Sequence, residues 1–235
     1  MTKDNVNWPD TESIGSLTDS ETEANLEGSL KGTIAKLDAL GADADPVERA
    51  KLMLTKMITL LGLNRKSDIW NDARPLLELF IENHLLEEAV QTCDVLYQSE
   101  QPQSIAALAH GVWLSVSFPI DPHLTVTMLN HIVDETPKDS DGAALAAITA
   151  HYIVGTRASD KDFENLNFFT SNLLTQVAGG HSQIDSQEDL NLWMDKLGLN
   201  KPEVFLPRLG AVLNVIVSEK DWWFDRDELR TRFPQ

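Results

Sequence analysis

The chain has 235 residues, 42% of them hydrophobic and 24% charged, a composition that can bury one substantial core. Nineteen basic against 37 acidic side chains give a formal charge of −18. That charge repels phosphate backbones and anionic lipid headgroups, which argues against a nucleic-acid binder and against membrane association. No run of about 18 to 20 apolar residues is available to span a bilayer: the best candidate, 211–217, is broken by Asn214. The opening residues lack the basic start and apolar stretch of a secretory signal, so a cytoplasmic location is expected. Cys93 is the only cysteine, which excludes an internal disulfide, zinc-finger spacing and a CxxC redox pair.

Residues 1–45 contain ten acids, three bases and few large apolar side chains, so 1–20 is expected to be a disordered acidic tail. Ser20 and Glu23 have capping-box spacing, and Leu26, Leu30, Ile34, Leu37 and Leu40 follow at steps of three and four before Gly41. The pattern predicts an amphipathic helix and linker over 21–44. Gly28 and Gly32 weaken that helix by about 1 kcal/mol each relative to alanine, so it needs a surface to lie on.

From Asp45 the signatures are helical throughout. Asp45, Pro46 and Glu48 mark a helix start, and Val47, Ala50, Leu54, Met57, Ile58 and Leu61 form its apolar stripe, ending near Gly62. A second stripe runs through Leu86, Ala89, Val90, Cys93, Leu96 and Tyr97, and a third through Leu124, Met128, Leu129, Ile132 and Val133 after Asp121–Pro122. Further helices are predicted at about 68–82, 103–117, 142–156, 161–178, 187–197 and 204–217, with Gly179–Gly180 read as a flexible loop. No segment alternates with the period of a strand.

Short connections between such helices make neighbours antiparallel. The expected fold over residues 45–235 is therefore all-α: stacked antiparallel helix hairpins, either a tetratricopeptide- or HEAT-like solenoid or an irregular helical bundle. Ala106-Ala107-Leu108-Ala109 recurs as Ala143-Ala144-Leu145-Ala146, an offset of 37 residues (143 − 106) that falls among solenoid periods. The tetratricopeptide consensus of Trp, Leu-Gly, Tyr, Ala and Pro is not met, so the likeness is one of architecture.

No nucleophile elbow, Walker motif or GxGxxG is present, and Cys93 on an apolar stripe reads as an inert thiol. No catalytic residue and no cofactor is expected. On the inner helices His110, Trp113, His151 and Tyr152 are candidates to line a concave, peptide-binding face. Trp222 and Trp223 would be a binding hot spot if exposed; folded back, they would seal the end of the stack, with Arg226, Arg230 and Arg232 docking on the acidic body. The resulting expectation is a non-enzymatic interaction, scaffold or adaptor protein with a basic or helical protein partner. An alternative is a metal-binding accessory subunit, because His131, Asp134 and Glu135 share a helical face, His123 lies eight residues earlier and His151 is on the next hairpin. An all-α enzyme without a recognisable motif is the third possibility.

Overall fold

A computed structural model describes residues 15–41, 43–66 and 69–233. Among these the chain is all-helical and without strands: α1 (Gly15–Ala39), α2 (Pro46–Gly62), α3 (Trp70–Glu82), α4 (Leu86–Gln98), α5 (Ser104–Ser117), α6 (Pro122–Glu135), α7 (Asp141–Arg157), α8 (Asp160–Ser182), α9 (Gln187–Leu197), α10 (Pro202–Ile216) and α11 (Arg226–Arg232), with a 3-10 turn at Glu219–Asp221 between the last two. No helix among them is long and apolar enough to cross a membrane.

Several helix starts are set by short polar side chains. Asp45 accepts from the Val47 N–H at 3.0 Å, and Asp121 from the N–H groups of His123 and Leu124, each aspartate being followed by a proline in the first helical position. Ser140 caps α7 and Ser186 caps α9 in the same way. Three successive helices close with a non-glycine residue in the left-handed region, Asn64, His84 and Glu100. At the first two the following N–H reaches back to the last turn, Arg65 to the Leu60 carbonyl at 2.9 Å and Leu85 to Phe80 at 2.8 Å. This is the six-to-one bond of a Schellman ending.

Each helix from α1 to α8 packs on the next, as expected of stacked hairpins, and α2, α4, α6 and α8 also touch in series to form one layer. On the other side of α5 and α7 lies α10, which packs on both. These two helices are therefore covered from two directions. Nearly every residue from Ala107 to Ser115, and every one from Gly142 to Ala150, is buried, as a helix that is apolar all round must be. Both copies of the Ala-Ala-Leu-Ala segment open these central helices, where small side chains let backbones approach. At Gly111 an added Cβ would sit 2.8 Å from Cys93 Cβ and 2.4 Å from Met128 Cε, so α4, α5 and α6 meet around a position only glycine fits without movement. Polar contacts tie the last helices down. Asp141 at the start of α7 accepts from His181 Nε2 at 3.1 Å and from Arg208 at 2.8 Å; Arg208 also donates to the Leu197 carbonyl, and Trp193 donates to His181 Nδ1.

Four sequence expectations change here. α1 begins at Gly15, ahead of the Ser20–Glu23 box, because no proline or glycine between Ser16 and Asn25 interrupts a helix propagating backwards; of the expected disordered tail, residues 1–14 lie outside the described residues. Ile34 and Ile58 are exposed rather than on the buried stripes, their places being taken by Thr33 and Leu60. Gly179–Gly180 is the end of α8 and not a loop, since His181, held by Asp141 and Trp193, anchors the last turn. A short helix, α11, was not foreseen beyond α10.

Candidate functional site

After α8 and α9 the chain reverses along the array: α10 runs back over α7 and α5, and the segment Ser218–Phe233 continues to α3. Its hold is aromatic. Trp223 stacks on His110 with ring centroids 4.2 Å apart and planes at 19°, Trp70 meets it edge-on at 6.3 Å, and the Arg74 guanidinium lies 4.2 Å from the ring centre. Trp222 packs at 4.8 Å from His110 and 6.1 Å from Trp113, while Phe224 packs at 5.3 and 5.5 Å from the same two rings. Phe233 finishes the run against His84 and Phe118, at 4.7 and 5.6 Å. Four of the six tryptophans are thus in one cluster, where each well-placed ring pair contributes about 0.5–1.5 kcal/mol beyond the area it buries.

His110 joins the segment to the array by a directed bond as well as by stacking. It is fully buried; its Nδ1 faces the Ala106 carbonyl one turn back, and its Nε2 accepts the backbone N–H of Trp223 at 2.9 Å. These partners fix a neutral imidazole protonated on Nδ1. Burial pushes its pKa down to about 4, with the cationic Arg74 and Arg226 acting in the same sense.

The arginines of the tail do not dock on the acidic body as charge alone suggests. Arg226 lies over Trp222 at 4.2 Å and donates to Asn214; Arg230 lies 5.1 Å from the Trp113 ring and pairs with Asp227; Arg232 lies 5.9 Å from Phe233 and contacts Glu228. Cations above indole faces are attracted to the ring quadrupole, and their carboxylate partners belong to the same short helix. The segment also lies across α3 and α5, not over the end of the stack.

Beside this clasp runs an open cleft of about 2030 Å³ between α10–α11 and the C-terminal ends of α5 and α7, reaching the start of α4. Its wall combines the rings of Trp113, Phe118, Tyr152, Trp222, Phe224 and Phe233 with Arg157, Arg226, Arg230 and Arg232. Arg157 is fixed there by donating to the carbonyls of Ser115 and Val116 at 2.7 and 2.8 Å, which closes the C-terminus of α5; burial lowers its pKa. Of the residues read from the sequence as a partner surface, Trp113, Tyr152 and Trp222 line the cleft, whereas His110 lies beneath the C-terminal segment, covered by Trp223 of that segment. His151 faces α8, its Nδ1 3.1 Å from Thr170 Oγ1, and half-burial lowers its pKa. Tyr152 packs edge-on to Phe205 of α10.

The metal-site candidates are not brought together. His131 Nε2 is 3.1 Å from Asp94, Glu135 accepts from the Tyr97 hydroxyl at 2.8 Å, Asp134 accepts from Asn130, and His123 turns toward Asp162 at 3.6 Å. Among the described residues no group of three or more His, Cys, Asp or Glu could hold a metal ion. The helical-face spacing is real, but α4 supplies partners for His131 and Glu135, α8 one for His123, and Asp134 pairs within α6, each side chain separately. Burial and the nearby Glu135 carboxylate raise the Tyr97 pKa, and burial raises that of the Cys93 thiol, which keeps it protonated and inert.

Sequence reasoning missed Trp70, Arg74, Phe118 and His84 as members of the cluster. Their only signal was composition, tryptophan at a helix start and phenylalanine before a proline, and neither carries a periodicity. No protein-family model, curated protein or solved structure matches the chain.

Proposed function

We propose that the chain is a non-enzymatic, cytoplasmic interaction protein of the helical-repeat kind, a scaffold or adaptor that holds a segment of a protein partner along its α5–α7 side. The cleft carries this reading: it is open, and its wall sets tryptophan, tyrosine, phenylalanine and arginine, side chains enriched at protein interfaces, beside the carboxylates of Glu87, Glu88, Glu219, Asp225 and Asp227. The recurrence of Ala-Ala-Leu-Ala at the starts of α5 and α7 supports a repeat in which α5–α6 and α7–α8 are equivalent hairpins, an architecture suited to extended binding faces.

Photo-crosslinking in cells tests the reading. A crosslinking side chain placed at Gly210 or Pro119 on the cleft is expected to capture the same partner polypeptide, and one at Thr127 on the outer layer is not. Equal capture from all three positions, or none from the cleft, would refute it.

A further inference from the structure

The segment on α3 and α5 is built like a bound peptide and not like another layer. Between Ser218 and Phe233 it contains a 3-10 turn and one seven-residue helix, and extended residues Val217 and Ser218 join it to α10. α10 is the last helix packed backbone-close on the array, so side chains do the holding beyond it. Within the segment only Leu229 is buried; Trp222, Trp223 and Phe224 are half-buried. The Trp222 indole N–H is enclosed without a hydrogen-bond partner, a fit less complete than that of a settled core.

We propose that Trp70, Arg74, His110 and Trp113 form a recognition site for a tryptophan-pair peptide, that Trp222-Trp223-Phe224 is its tethered occupant, and that a partner segment of the same chemistry displaces it. The inference rests on the reading of the chain as an interaction protein and names the class of segment it receives: the part of the cleft wall supplied by 222–233 belongs to the displaceable occupant, and the partner segment takes its place. His110 Nε2 selects a backbone N–H, Arg74 an indole face, and Trp70 and Trp113 the ring edges. None of these contacts depends on the peptide being in the same chain. Tethering supplies the resident segment at an effective concentration in about the millimolar range, so the site opens only to a competitor that is concentrated or held nearby.

Titration of a labelled synthetic peptide of residues 218–233 against the full chain tests this, in parallel with the full-length Trp222→Ala, Trp223→Ala variant. The variant, its own occupant stripped of anchors, is expected to bind the peptide about ten-fold or more tightly than the wild type does, and a peptide with both tryptophans replaced by alanine is expected not to bind. A variant that keeps its helical circular dichroism and cooperative melt but does not prefer the tryptophan peptide overturns the proposal. Should the variant fail to fold, hydrogen exchange on the wild-type chain decides. Exchange of 219–233 faster than α5, accelerated further by saturating peptide, upholds the proposal; exchange of that segment only on global unfolding makes it core and overturns it. Crosslinks from the cleft without peptide affinity sink this inference alone, whereas no cleft crosslinks sink the reading beneath it.

Discussion

At Gly111 the fold leaves no room for a methyl group. The Met128 thioether can swing aside, but the Cys93 Cβ, 2.8 Å away, is fixed to the backbone of α4. Gly111→Ala is expected to cost about 1–3 kcal/mol by overpacking, seen as a lowered thermal midpoint; an unchanged midpoint would mean that α4 can move back freely. His110, one residue earlier, makes stability depend on pH. In the unfolded chain it takes up a proton near its ordinary 6.5, while in the fold it stays neutral to about 4, and the charged groups facing it, Arg74 from α3 and Arg226 from α11, are both cations. The native state therefore binds fewer protons across that window, so stability falls as pH drops from 6.5 towards 4, by up to about 3 kcal/mol, and is unaffected by this group above 6.5. His110→Gln keeps an acceptor for the Trp223 N–H without titrating. Urea unfolding at pH 7 and 4.5 should show a smaller loss in that variant than in the wild type; equal losses would acquit His110.

Among the elements, those with strong periodicity and local stop signals were legible. Residues 187–197 form a helix as read, and the starts at Asp45–Pro46 and Asp121–Pro122 are capped as their side chains predict. The segments that departed are the ones decided from a distance. The end of α8 depends on contacts of His181 with Asp141 and Trp193, and the course of 218–233 depends on rings 100 or more residues away in sequence, which no local pattern encodes. Histidine candidates failed for the same reason, because spacing places side chains on one face of a helix but says nothing of what the neighbouring helix offers them. In α1 the sequence argument about glycine carries over: a Cβ at Gly28 or Gly32 meets nothing within 4 Å. Alanine at each is expected to raise stability by about 1 kcal/mol or less, read as a higher thermal midpoint; a fall would show that this face of α1 has a partner. Gln183, left-handed at φ 55° after α8, invites the opposite change. Glycine there should stabilise the chain by about 0.5–1 kcal/mol, measured by chemical denaturation.

For the whole molecule, layering sets a gradient of protection. α5 and α7, enclosed by the α4–α6–α8 layer on one side and α10 on the other, should exchange their amide hydrogens most slowly, and α1, packed against α2 at the edge of the array, should open first. Uniform protection from α1 to α10 would show one cooperative unit in place of a stack. The reversal of the chain also has a consequence for its birth on the ribosome. Trp70 leaves the exit tunnel 153 residues before Trp223 (223 − 70). At about 5–20 residues per second, the Trp70 ring on α3 stands bare for roughly 8–30 seconds before its cover is synthesised. Nascent chains of this protein are thus exposed to chaperone capture and to mispairing with one another for the whole of that interval, and the vulnerability ends only once Trp222 and Trp223 have emerged.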